Sequence, residues 1–229
     1  MTRPLVVAAH GTASLEGQRV VVDCAARAGV LLGLDRPPPV GYVDVCGPTL
    51  DEVLDGVTDP VVVPFFLASG YHVRHDVPTA VAALAGATVT PALGTEDEVL
   101  DALVDRVLAA GPGPGAVLVL GAGSSVDAAR AEVAEVARLV GARLGVPTGT
   151  AFLSGPGPRA EDELARLRAA GVDPAHVVVA AHLLSPGHFL DRAHRVAATA
   201  GAVATQPLGT HERLGALVAR RYREAVTAG

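Results

Sequence analysis

Residues 66–78 read FLASGYHVRHDVP and place His72, His75 and Asp76 within five positions, directly after an apolar run. Two imidazoles beside a carboxylate can form a solvated turn, a metal site or an acid–base site. Two other stretches supply the same groups: His10 in AAHGT and Asp44 in YVDVCGP. Imidazole nitrogen and carboxylate oxygen suit a first-row divalent cation with coordination positions left open. Neutral imidazole, with a reference pKa near ~6.5, also accepts protons near neutral pH. Taken singly, each residue has a plainer role. His10 can cap the following helix, and Asp44 can accept in a turn before Pro48. His75 competes with His72, and Asp76, just before Val77-Pro78, reads as a helix N-cap with Pro in the first turn.

The elements that would position these side chains are strands. LVVAA (5–9), VGYVDV (40–45), PVVVPFFL (60–67) and the weaker ATVTPAL (87–93) are short apolar runs. Helical composition fills 15–33, 49–56, 76–85 and 96–110. Strands that are apolar throughout suit a parallel sheet covered on both faces. Their alternation with helices predicts α/β architecture with right-handed crossovers. Ligands of open α/β sheets bind outside the carboxyl ends of the strands. His10 follows the first strand, Asp44 lies near the end of the second, and His72 follows the third, so all three fall on one sheet edge.

At GPGPG (111–115) the chain breaks and then repeats itself. AVLVLGAGSS (116–125) resembles LVVAAHGTAS (5–14), and VVVAAHLLSPGHFLDR (177–192) resembles VVVPFFLASGYHVRHD (61–76). QPLGTHERLGALVARRY (206–222) resembles PALGTEDEVLDALVDRV (91–107). Three matches in one order indicate an internal duplication. The expected domains are an N-terminal lobe, 1–110, a Gly/Pro linker, 111–115, and a C-terminal lobe, 116–229. Each lobe is expected to hold a mostly parallel four-stranded sheet flanked by helices, with a cleft between lobes. On this alignment the second lobe has Ala122 for His10, Ser154 for Asp44 and His188 for His72, while Gly123 and Ser124 match Gly11 and Thr12. Residues needed for folding should survive in both copies; the loss of two favours chemistry in the first. His182 and His188 are expected to form a wall of the cleft, and His176, His194 and His211 receive no role.

Composition narrows the class. Half of the 229 residues are hydrophobic but only 3% are aromatic, with no Trp, so the chain is poorly equipped to stack on single-stranded nucleic acid. The formal net charge is −6 and the basic residues are dispersed, against a nucleic-acid or anionic-membrane binder. Cys24 and Cys46 are not spaced as a metal or redox pair and read as reduced, buried thiols. The N-terminus is too soon polar for a signal peptide, and no run approaches the ~20 apolar residues of a membrane span, so a cytoplasmic protein is expected.

LVVAAHGT, YVDVCGP and FFLASGYHVRHDVP together resemble the sirohydrochlorin chelatase family, and the duplication resembles its two-lobed form. The resemblance implies insertion of a divalent metal into sirohydrochlorin, Fe²⁺ favoured and Co²⁺ close behind, for sirohaem or cobalamin. It implies His10 and His72 as metal ligands or proton acceptors, assisted by Asp44, which stands where the family usually has Glu. The metal is then a substrate, and no permanently bound cofactor is expected. The tetrapyrrole is a polycarboxylate, so it would need local donors in an acidic protein. These are the backbone N–H groups at Gly11-Thr12 and at Gly123-Ser124-Ser125, both before predicted helices, with His188. Arg74, Arg159 and Arg192 are further candidates. Two fused lobes point to a monomer. The rivals are a non-catalytic metal or tetrapyrrole carrier and a histidine-nucleophile phosphohydrolase. The latter pattern places Arg before the first-strand His, where this chain has Ala9.

Overall fold

The structure is a computed structural model in which residues 3–111 and 113–228 are described. Of the Gly/Pro break, Pro112 lies outside the described residues. The chain forms two compact units, Met1–Gly94 with Thr210–Gly229, and Thr95–Gly209.

In the first unit the order is β1 (Leu5–Ala9), α1 (Leu15–Leu32), β2 (Val40–Tyr42), α2 (Leu50–Leu54), β3 (Val61–Pro64), α3 (Tyr71–Arg74), α4 (Asp76–Val81) and β4 (Thr88–Val89). The strands pair in parallel in the order β2-β1-β3-β4. Every residue of β1 and β3 is buried, as a sheet covered on both faces requires. One face packs Val6, Ala8 and Val62 against Leu50, Leu54 and Val77. Burying each Val or Leu of this set stabilises the fold by about 1.5–3 kcal/mol.

The second unit opens with α5 (Asp97–Ala109) and continues β5 (Ala116–Gly121), α6 (Asp127–Leu144), β6 (Thr148–Phe152), α7 (Ala160–Ala169), β7 (Val177–His182), α8 (His188–Ala200) and β8 (Val203–Ala204). Its strands run parallel in the matching order β6-β5-β7-β8. The α/β class and the two four-stranded parallel sheets are those expected from the sequence. The last helix, α9 (Glu212–Ala228), belongs to the first unit.

The compact units therefore differ from the expected halves at one helix each. Helix α9, which ends the second half in sequence, packs on α1 and β3 through Leu214, Leu217, Val218 and Tyr222. The Tyr222 hydroxyl donates to the Arg3 carbonyl at 2.6 Å, and Arg221 donates to the Ala92 carbonyl at 3.2 Å. Helix α5, which ends the first half, packs on α6 and β7, and Arg106 donates to the Leu208 carbonyl at 3.0 Å. The repeat boundary and the packing boundary thus fall at different places in the chain.

Candidate metal centre

His10 is the residue after β1, and His72 sits in the first turn of α3, just beyond β3. In the order β2-β1-β3-β4 the chain turns back between β1 and β3, the switch point at which open α/β sheets bind ligands. Asp44 comes from the neighbouring strand, but not from within it. Strand β2 stops at Tyr42, earlier than the expected residue 45, because a tight turn begins there.

That turn is tied to the His10 segment through the backbone. Val43 N–H donates to the Ala9 carbonyl at 3.0 Å, and Asp44 N–H donates to the His10 carbonyl at 2.9 Å. Gly11 makes the approach possible. It adopts φ +100, and a Cβ there would lie 2.0 Å from the Asp44 carbonyl oxygen. The next residue, Val45, is held at φ 66, a left-handed conformation that strains a β-branched residue. Its N–H donates to the Asp44 carboxylate at 2.7 Å, which orients that side chain.

The result is a cluster in which His10, Asp44 and His72 each offer one ligand atom, all within 4.8 Å of one another. The two imidazoles meet edge to face, with ring centroids 4.5 Å apart at 83°. His10 and Asp44 are exposed and His72 is half-buried, so the cluster faces solvent. Donors ~2.1 Å from a divalent ion in tetrahedral array lie roughly 3.4 Å apart, so side-chain shifts on the order of 1 Å would close the site. Three donors leave at least one position free for an incoming nitrogen. His75 takes another path: its ring stacks on Tyr71, with centroids 4.5 Å apart.

Other expected residues have visible work. Thr12 accepts from Ser14 N–H at 3.1 Å, and Ser14 is the residue that caps α1. Arg74 donates to the Ser69 carbonyl at 2.7 Å, and Arg192 to the Leu153 carbonyl at 2.5 Å. Arg159 precedes α7 as its N-cap. Cys24 is buried, which pushes its thiol up to about 12, whereas Cys46 is only half-buried, unlike the buried thiol expected, and lies beside the Gly11 turn.

The second unit builds the same edge with different residues. Gly123 adopts φ +108, and a Cβ on it would lie 2.0 Å from the Ser154 carbonyl oxygen, as Gly11 does with Asp44. Ala122 and Ser154 therefore match His10 and Asp44, as expected. The third position needs correction. Val7 pairs with Val63, and its equivalent Val119 pairs with Ala180, which brings Phe65 onto His182. The same spacing then leads to Gly70 and Gly187, the N-caps of α3 and α8. His188 thus matches Tyr71, and Phe189 matches His72. The identical VVV triplets had suggested a register one residue away. His182 is 3% exposed, and burial lowers its pKa to about 4. Its Nε2 has no hydrogen-bond partner among the described residues.

Sequence reasoning missed one feature of the cluster. Asp76 begins α4, but among the described residues its side chain caps no backbone N–H. Its carboxylate accepts instead from His72 Nδ1 at 2.5 Å. The i,i+4 spacing of the two residues was the available signal.

A doubled four-stranded parallel α/β unit, with two imidazoles and a carboxylate at the switch point of one copy, defines a two-lobed protein with a single candidate metal centre among its described residues. The family model of CbiX matches residues 4–110 and again 116–225. The chain belongs to the CbiX family, the sirohydrochlorin chelatases that its motifs resemble. A sirohydrochlorin cobaltochelatase of Methanopyrus kandleri is 35% identical over 79 residues, covering 32% of this chain and 54% of that protein. The chain thus matches about half the length of that relative. The solved structure of SirB from Bacillus subtilis with Fe³⁺ superposes with a TM-score of 0.81 at 21% identity, over 98% of this chain and 96% of the other. SirB from Bacillus subtilis subspecies spizizenii in complex with cobalt gives 0.79 at 21% identity, over 99% and 96%. At that identity the likeness is one of fold.

Proposed function

We propose that this chain is a metal chelatase that inserts a divalent ion, Fe²⁺ or Co²⁺, into sirohydrochlorin. The observation that carries the reading is the exposed His10–Asp44–His72 cluster, in a chain of the CbiX family. Fe²⁺ and the sirohaem branch are our first choice, with Co²⁺ and the cobalamin branch second. An imidazole–carboxylate set accepts either ion and does not by itself select between them.

Insertion requires the ion to shed water, four pyrrole-type nitrogens to reach it, and two N–H protons to leave. His10, His72 and Asp44 hold the ion from one side, weakly enough to release it once the macrocycle supplies its nitrogens. The imidazoles are suited to receive the departing protons as they let go of the metal. Because the cluster is open to solvent, the ion can enter and the macrocycle can approach along the free coordination side. Backbone N–H groups at Gly11 and Thr12, ahead of α1, are proposed donors to the substrate's carboxylates. Gly123, Ser124 and His188 stand at the corresponding edge of the second sheet and are proposed for the same role. We also propose that the chain acts as a monomer in the cytoplasm, with no resident cofactor.

The test is anaerobic insertion of Fe²⁺, Co²⁺ and Ni²⁺ into sirohydrochlorin, followed by absorbance. Acceleration over the uncatalysed reaction is expected for Fe²⁺ and Co²⁺. Binding of sirohydrochlorin without acceleration would make the protein a carrier, and no binding at all would remove both readings.

A further inference from the structure

Within the proposed metal centre, and resting on that reading, we propose that Asp76 is a positioning residue. It holds His72 in the Nδ1–H tautomer and so makes Nε2 the metal donor.

The argument begins with the pair itself. Asp76 Oδ2 lies 2.5 Å from His72 Nδ1, one helical turn earlier in the chain. A carboxylate only accepts, so the imidazole nitrogen facing it must carry the proton. Neutral imidazole has one such proton, and Nε2 is left with its lone pair free. The carboxylate also stops the ring from rotating about its attachment.

Asp76 does nothing else that would explain it. Although it opens α4, the residue before it makes no side-chain cap, and Asp76 bonds to no backbone N–H. Among the described residues its carboxylate has no other hydrogen-bond or ion-pair partner. Both members are partly shielded, with side chains 29% and 36% exposed, so the bond is screened less than a surface pair.

Two comparisons inside the molecule point the same way. His10 has its Nδ1 3.2 Å from the Gly11 carbonyl, an oxygen that can only accept, so His10 too is held with Nε2 free. In the second unit, Phe189 stands for His72 and Ala193, one turn on, stands for Asp76. The imidazole and its carboxylate are lost together, as expected if the acid serves the histidine.

The experiment uses the full-length, ¹⁵N-labelled, metal-free protein at pH 8, with the His72 ring nitrogens read by long-range ¹H–¹⁵N correlation. Wild type is expected to show His72 protonated at Nδ1, and Asp76→Ala to shift it toward Nε2–H. Direct Co²⁺ binding should weaken about 10–100-fold in Asp76→Ala. Asp76→Asn, whose amide oxygen still accepts from Nδ1–H, should keep the tautomer and lose less affinity; if the alanine variant does not fold, the wild-type tautomer decides. An Nε2–H tautomer in wild type would overturn the proposal, as would a folded Asp76→Ala with unchanged tautomer and Co²⁺ affinity. Neither readout requires sirohydrochlorin. Failure of the chelatase reading would appear as absent insertion with this tautomer intact, and failure of the Asp76 proposal as insertion with the tautomer wrong.

Discussion

The edges of the two sheets use one backbone plan and differ in chemistry. Each has a glycine at positive φ after its first strand, seated beneath a carbonyl of the neighbouring turn: Gly11 under Asp44, and Gly123 under Ser154. On that shared frame the first unit mounts His10, Asp44 and His72, and the second mounts Ala122, Ser154 and Phe189. The Ser154 hydroxyl turns inward and donates to the Ala122 carbonyl at 2.7 Å, so it closes the turn instead of facing a ligand. The frame is thus a requirement of the fold, and the three polar side chains are an addition to it that the fold does not need.

The largest effect should come from removing that addition. His10→Ala and His72→Ala are expected to slow metal insertion by at least about 100-fold while the thermal midpoint barely moves. Phe189→Ala should stay within about 2-fold, and His188→Ala, which removes a proposed substrate contact, should lose far less than either His10→Ala or His72→Ala. A comparable loss at His188 would move the chemistry to the second unit.

Next in size is damage to the frame. Gly11→Ala and Gly123→Ala both drive a methyl group into a carbonyl, and both should destabilise by about 2–4 kcal/mol in urea unfolding. Only Gly11→Ala should also weaken Co²⁺ binding, because only there does the displaced turn carry a proposed metal ligand. Equal loss of binding in the two variants would contradict the separation of frame from site.

A smaller, pH-dependent difference is expected where Phe65 of the first unit is replaced by His182 in the second. Burial holds His182 neutral down to about 4, whereas in the unfolded chain it titrates near 6.5. Between those values the unfolded state binds more protons, so stability falls as pH is lowered through that window and is fully present above it. The contribution amounts to on the order of 3 kcal/mol at its acidic end. His182→Phe should flatten that part of the urea-midpoint profile, and an unchanged profile would show that His182 is not the group responsible.

These contrasts also explain what could be read from the chain alone. The core strands stood out because LVVAA and VVV are apolar at every position, which only a doubly covered sheet accommodates. His10, Asp44 and His72 could be brought together because strand ends fix where the following residues emerge. The exchange of α5 and α9 was not visible: PALGTEDEV and QPLGTHERL present similar amphipathic faces, and no local signal says which sheet each will cover. The one-residue shift that puts His182 on Phe65 was hidden by the identical VVV triplets, whose match reflects the burial of both strands more than their pairing register. Asp76 was read as a cap because an acid before Val-Pro ordinarily is one. Its bond to His72 depends on the short, interrupted helix pair α3–α4, which composition alone did not announce.

The central claim is that one metal ion is handled by the first unit at His10, Asp44 and His72. Diffraction from Co²⁺-soaked crystals, with anomalous data at the cobalt edge, tests it most directly. The account predicts one strong peak roughly 2.1 Å from Nε2 of both histidines, with an Asp44 oxygen as the third protein ligand. A peak on His75, His182 or His188 with none at this cluster would contradict it.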